Sequence, residues 1–559
     1  MSVTLFQGTL PYNICSTLGE HCKSVFDYLT YEDGNALRAT CKEARNAVAE
    51  YKWMDSETCI EGSLKLWRIC FRNAKAANIR YRTDLTDADF IYLKGIHTLD
   101  MRDCDQDTIT DAAFAHIQGI HTLDMSDCNQ DTITDAAFAH IQGIHTLNMS
   151  ECDQETITDT AFVHLKGIHT LDMSCCNQIT DAAFVHLKGI YTLDMSYCSQ
   201  ATITDAAFTH LKGIHTLDMR SCYNITDAAF IHLKGIHILD MSRCTQITDT
   251  AFIHLKGIHT LNMRDCNQAT ITDTAFTHLT GIHTLDMSQC TQITDTAFIH
   301  LKGIHTLDMR DCDQITDTAF VHLKGIHTLD MSKCNQITDT AFTHLTGIHT
   351  LDMSGCDQAT ITDAAFVHLN GIHTLDMSDC NQATITDAAF AHLKGIHTLN
   401  MNYCRQITIT DTAFSHLKGI YTLDMRGCNQ ETITDAAFVH LKGIHTLDMS
   451  SCNQTTITDA AFVYLKGICY LDMGYCNQST ITDAAFIHLK GIQTLEMCGC
   501  NQDTITDTAF VHLKGIHTLW MLGCNQTTIT NAAIDYLNGT RNLFYNTYSE
   551  DEDSEEKKE

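Results

Sequence analysis

Cysteine and histidine are the side chains here best suited to chemistry, and both recur with a fixed period. Nineteen of the 27 cysteines fall once per 22 or 24 residues, from Cys104 to Cys524, and 32 of the 33 histidines occupy the place of His97 or that of His116. A zinc site needs three or four ligands converging at about 2 Å. The spacing instead puts His97 on a strand, His116 on the outer face of a helix and Cys104 at a strand-to-loop bend. The expectation is therefore a histidine ladder and a structural thiol rung, each thiol filling space and bonding weakly to turn amides, with no metal. Cys175, Cys469 and Cys498 fall outside the rung, and Cys498 is the candidate for an exposed thiol. Ser, His and Asp are copied too uniformly to form one unequal triad. With no phosphate-binding or dinucleotide-binding glycine motif either, no enzyme and no cofactor are expected.

The elements that carry these columns can be read from single units such as GIHTLDMRDCDQDTITDAAFAHIQ (95–118) and GIHTLDMSCCNQITDAAFVHLK (167–188). Around Leu99-Asp100-Met101 apolar and polar residues alternate, which predicts a short strand with one buried face. Thr110 supplies a hydroxyl N-cap and Asp111 a first-turn carboxylate. Ala113, Phe114 and Ile117 then form the apolar stripe of a two-turn helix that Gly119 stops. The two unit lengths differ by an insertion such as Asp107-Thr108, which marks a loop. A unit this small cannot bury both apolar faces alone, so copies must stack. Strands pack more closely than helices, so the stack should curve with its strands inside.

Composition narrows the function classes. The 559 residues carry a formal charge of −32, which opposes nucleic-acid or anionic-membrane binding and favours a basic protein partner or plain solubility. Residues 1–13 lack a signal-peptide pattern, and no run has the length of a membrane helix. Regular cysteine spacing with an odd total favours reduced thiols. The expected location is cytoplasmic or nuclear, not secreted.

The pattern I-x-x-L-x-M-x-x-C…I-T-D-x-A-F-x-x-L resembles the cysteine-containing leucine-rich repeat, a subfamily common in F-box proteins. The resemblance implies an α/β leucine-rich-repeat solenoid over residues 83–539, about 19–20 units with a curved parallel sheet inside and short helices outside. Residues 1–82 do not repeat, and 1–60 of them read as a separate helical module. Leu10-Pro11, then Val25, Phe26 and Leu29, then Leu37, Cys41-Lys42, Arg45 and Trp53 resemble an F-box. Leu10-Pro11 stands farther from Phe26 than in that pattern, Gly34 takes the place of a larger apolar residue, and Ala44 replaces a Trp. Val25, Phe26 and Leu29 read as one helical stripe, and Leu37, Cys41, Ala44 and Val48 as another. The resemblance implies that Leu10, Pro11, Val25, Phe26, Leu29 and Leu37 dock a Skp-type adaptor and, through it, a cullin ubiquitin ligase. A plain helical cap is the alternative. Residues 61–82 would link this module to the array, and 540–559 would hold a remnant cap and an acidic disordered tail. F-box-like modules joined to near-identical repeats also resemble proteins of large DNA viruses of amoebae, which would put the adaptor in the host cytoplasm.

Partner-binding candidates lie on the concave face. Its Asp100 column holds Asp in fourteen units, Asn at 148, 262 and 400, Glu496 and Trp520, with arginines at 102, 220, 264, 310 and 426 to offset the charge. A generic solvated ladder and a groove for a basic partner both fit. The Asp103 column varies freely and includes Tyr197, Arg243, Lys333, Tyr403 and Tyr475, through selection for recognition or neutral drift. Units diverge most near the C-terminal end, where Glu496, Trp520 and Leu522 would either bind or cap. These readings lead to a ligase substrate receptor that selects an unidentified target, with a non-enzymatic scaffold or decoy as the alternative.

Overall fold

The computed structural model describes residues 29–537 and 540–545, so Leu10, Pro11, Val25, Phe26 and the acidic tail lie outside the described residues. The chain divides into two compact units, residues 1–258 and 259–559. Each is an α/β solenoid. Among the described residues the first unit has eight short parallel strands, from Ala76–Asn78 to Ile238–Asp240. The second has thirteen, from Thr260–Asn262 to Asn542–Tyr545. Within each unit every strand pairs with that of the next repeat in identical register: Leu99 with Leu123, and Leu285 with Leu307.

The register follows from side-chain alternation. Leu99 and Met101 are fully buried beneath the sheet with Ile109, Ala113, Phe114 and Ile117, so a one-residue slip would turn that apolar set outward. Gly119, at φ +80°, ends the helix in the left-handed region that glycine adopts without strain. The expected two-turn helix is shorter. One α-turn, Asp111–Phe114, tightens into the 3-10 turn Ala115–Ile117, and in the repeat of Asp273–His278 the whole segment is 3-10. Such tightening is the usual end of a short helix whose last carbonyls lack partners.

Contacts between repeats explain why Thr-Asp hardly varies. Thr134 caps its own helix by accepting from the Ala136 amide at 3.2 Å. Its amide and hydroxyl also donate to the two oxygens of Asp111, one repeat earlier, at 2.7 and 2.8 Å. The same two-point staple joins Asp435 to Thr458. The two-residue insertion adds another tie. In the longer units Thr132 donates to the Ile109 carbonyl and the buried Gln130 to that of Cys104, whereas in a shorter unit Gln246 is exposed.

Among the described residues the N-terminal module has three helices: α1 (Tyr31–Arg38), α2 (Lys42–Glu50) and α3 (Leu64–Cys70). Tyr31, Trp53, Trp67 and Phe71 form its aromatic core, with Tyr31 and Phe71 centroids 4.6 Å apart. A Cβ on Gly34 would meet Trp53 at 2.8 Å and Phe71 at 2.9 Å, so glycine is the residue that lets α1 approach this core. The expected stripe through Leu37, Cys41, Ala44 and Val48 is broken. The chain turns between the helices, and Cys41 N-caps α2, its sulfur accepting from the Ala44 amide. The module also covers the first repeat: the Tyr31 hydroxyl donates to the Ala76 carbonyl at 2.6 Å, and Arg68 to those of Tyr92 and Lys94.

Candidate partner-binding face

In-register pairing turns each repeated residue into a column on the open face of the sheet. The aspartates come first. Asp124 Oδ1 accepts from the amide and hydroxyl of Ser126, at 3.1 and 2.8 Å, and Asp330 does the same with Ser332. Leu-Asp-Met-Ser is thus a turn closed by its own carboxylate, with one oxygen left over to face the neighbouring strand. Arginines reach that oxygen where the chain supplies them. Arg310 contacts Asp308 at 3.0 Å and Asp330 at 2.9 Å across two strands, Arg102 contacts Asp100 and Asp124, and Arg426 contacts Asp448 at 2.6 Å. Arg264 faces Asp265 instead, at 3.9 Å. Burial, then repulsion from neighbouring carboxylates, pushes Asp308 and Asp472 up to about 6. Asp124, Asp194, Asp240, Asp352 and Asp424 are raised with burial as the largest cause.

Beside them runs the imidazole ladder. His97, His121, His145 and His169 stack at 4.4–4.5 Å in the first unit. In the second, rings from His259 through His397 stack at 4.6 Å and continue through Tyr421 to His445. Nδ1 typically faces the adjacent threonine hydroxyl, as His121 faces Thr122 at 3.3 Å. Partial desolvation in the stack and the flanking imidazoles lower the pKa of His121, His305 and His349.

The rung cysteines are buried, and beside the expected contact with a turn amide, which Cys104 supplies to Cys128, they also bond carbonyls. Cys128 Sγ donates to the Met101 carbonyl of the preceding repeat at 3.1 Å, because that carbonyl lies at the strand end, within reach of a neighbouring thiol. Burial raises Cys104 to about 12, so the rung is protonated and inert at neutral pH. Cys498 is half-buried, and burial, Glu496 and Asp472 raise its pKa too.

The variable column has a backbone signature that the sequence did not reveal. Tyr197, Arg243, Lys333, Tyr403 and Tyr475 all have φ between +54° and +61°. A large side chain there leans onto the same position of the next repeat. A Cβ on Gly427 would lie within 2.4 Å of the Tyr403 ring, one on Gly499 within 2.5 Å of Tyr475, and one on Gly355 at 3.1 Å from Lys333. Tyr197 is followed in the column by the buried Ser221. Part of the variation is therefore steric: a bulky residue is followed by a small one.

Two places bring unlike residues together. A cavity of about 280 Å³ is lined by Asp379, Asn381, Tyr403 and Arg405, with the Arg405 guanidinium 4.8 Å from the Tyr403 ring centre. Sequence reasoning missed Arg405. Its signal is that it is the one basic residue directly after a rung cysteine. At the C-terminal end, Trp520 stacks on Phe544 at 3.7 Å, the Tyr470 hydroxyl donates to Glu496 at 2.8 Å, and Leu522 is exposed. Tyr475, Glu496, Trp520 and Leu522 thus share this end, whereas Tyr197, Arg243, Lys333 and Tyr403 are spread along the two units, Tyr403 at the cavity. Of the module's candidates, Leu29 and Leu37 are half-buried.

A family model, the BspA type leucine-rich repeat region, matches residues 107–237, 201–327, 307–421 and 383–517. Among solved structures, a TLR13–ssRNA13 complex matches with a TM-score of 0.62 at 18% identity, covering 87% of this chain and 76% of that one. A yeast Rad7–Elc1 complex matches with a TM-score of 0.37 at 16% identity, covering 52% and 84%. The first likeness is one of fold. No curated protein matches the chain. Among the described residues no helix is long and apolar enough to cross a membrane.

Proposed function

The chain belongs to the BspA-type leucine-rich repeat family, and from that premise we propose that it is the substrate-recognition subunit of a cullin ubiquitin ligase, its N-terminal module recruiting a Skp-type adaptor. The observation that carries the binding role is the open sheet face, where polar columns stand in register on a rigid core. The family resemblance of the N-terminal residues supports the ligase role. The mechanism is proximity: a receptor that holds its target beside a ubiquitin-charged enzyme raises effective concentration and performs no chemistry itself. A second reading, a scaffold or decoy, draws on the way α1–α3 cover the first repeat, since a solenoid end needs such a cover whether or not it binds an adaptor.

Co-purification separates the two. The full chain should retain a Skp-type adaptor, and Phe26→Ala together with Leu29→Ala should release it without unfolding the repeats. A folded wild-type chain that retains no adaptor would establish the scaffold reading instead.

A further inference from the structure

Along most of the sheet the open face is uniform, and a partner could slide by one repeat and meet the same groups. The second unit breaks that uniformity at its C-terminal end. Strand register places Asp472 beside Glu496, Glu496 beside Trp520, and Trp520 beside Phe544. The acidic column therefore runs directly into an aromatic stack. Leu522 is 41% exposed and Phe544 38%, an apolar shelf in columns where most earlier repeats present Ser, Arg, Asp or Asn, and Tyr475 beside it is 60% exposed.

The chain itself shows what the acidic column accepts. Arg310 lies across Asp308 and Asp330, one guanidinium on two adjacent strands, and Arg426 reaches Asp448 on the strand after its own. The next pair, Asp472 and Glu496, receives no arginine of the chain among the described residues. The Tyr470 hydroxyl, on the strand of Asp472, donates to Glu496 at 2.8 Å. Burial and both acidic neighbours raise Asp472, and Arg426, which is paired with Asp448, offsets this only in part.

We propose that the Asp472–Glu496 pair and the Trp520–Phe544–Leu522 shelf form one docking site for an extended segment of a partner protein that carries an arginine and, three residues away, a leucine or aromatic side chain. Distance sets the spacing. The midpoint of the acidic pair and that of the aromatic pair lie two strands apart, about 9.6 Å at a strand spacing of about 4.8 Å. Three residues of an extended polyproline-type segment span about 9.3 Å. Arginine fits better than lysine because its planar fork can serve two carboxylates at once, as Arg310 does. Tyr475 packs over Gly499, whose amide donates to the Leu522 carbonyl, so the side of the shelf is braced through three successive repeats. The segment would be recognised by charge at one end and apolar contact at the other, which fixes its register on an otherwise repetitive face.

This inference deepens the binding role proposed above by naming the chemistry of the partner. It is tested by fluorescence anisotropy of the full-length protein with short labelled peptides of otherwise small polar residues. The Arg-Ala-Ala-Leu peptide should bind. Moving the leucine next to the arginine, replacing Arg by Lys, or replacing Leu by Ser should each weaken binding measurably. Asp472→Asn with Glu496→Gln, and separately the exposed Leu522→Ser, should each weaken it by about tenfold or more. Asp352→Asn with Asp376→Asn should leave it unchanged. Absence of binding would overturn the proposal, as would binding indifferent to the spacing or equally reduced by the distant pair, the behaviour of a polycation on any acidic surface. Adaptor co-purification is independent of these residues, so failure here and failure of the ligase reading are separable.

Discussion

Many of the smallest contacts in this protein reach one repeat along the chain. Asp435 holds the amide and hydroxyl of Thr458 at 2.7 Å each. Asp435→Ala should cost about 1–3 kcal/mol, because two donors lose a shared acceptor while the helix cap of Thr434 remains. Asp435→Asn should cost less, and urea unfolding of the two variants measures the difference. The tyrosine–glycine pairs give a sharper test. Gly427→Ala adds a Cβ both at φ +64° and against the Tyr403 ring, so it should destabilise by about 1–2 kcal/mol. Tyr403→Ser should recover the steric part but not the backbone part. A double-mutant cycle that shows no coupling would mean the ring simply swings away.

At the scale of the columns, two ladders respond to acid in opposite directions. Asp472 is raised to about 6, above its unfolded value of about 3.9. The folded chain binds that proton more tightly, so the ionised carboxylate costs stability above pH 6, and the cost disappears as the pH falls toward 4. His121, His305 and His349 are lowered. The histidines therefore contribute the opposite sign: stability is lost as the pH falls through their unfolded value near 6.5. Asp472→Asn should stabilise the fold at pH 7.5 by no more than about 1 kcal/mol, seen as a higher melting temperature, and lose that advantage by pH 4. Asn400 already occupies this column and accepts from the Asn402 amide, so the turn tolerates the change. Equal melts of variant and wild type at pH 7.5 would show that solvent fully screens the column.

For the molecule as a whole, stability in stacked repeats is close to a sum of local terms, and the ends matter most. Trp520→Ala removes the stack on Phe544 and should loosen Asn542–Tyr545, seen as faster amide exchange confined to the last repeats, with a loss of about 1–2 kcal/mol. If exchange there is unchanged while the arginine peptide no longer binds, Trp520 acts in recognition rather than as a cap. The repeat period, strand, capped turn, left-handed glycine and buried rows were legible in the sequence, because each is written within one copy by alternation, a hydroxyl before a carboxylate, or a glycine after an apolar stripe. What only the tertiary structure decided is how each copy holds the next. The Asp111–Thr134 staple, the Cys128 thiol on the Met101 carbonyl, the Tyr403 ring over Gly427 and the Arg310 guanidinium across two strands join residues 20-odd positions apart. In a repetitive sequence every copy offers the same groups, so periodicity reveals the columns but not the partners within and between them. Those partners are set by the strand register and by which way each side chain leans, and these depend on close packing of neighbouring copies.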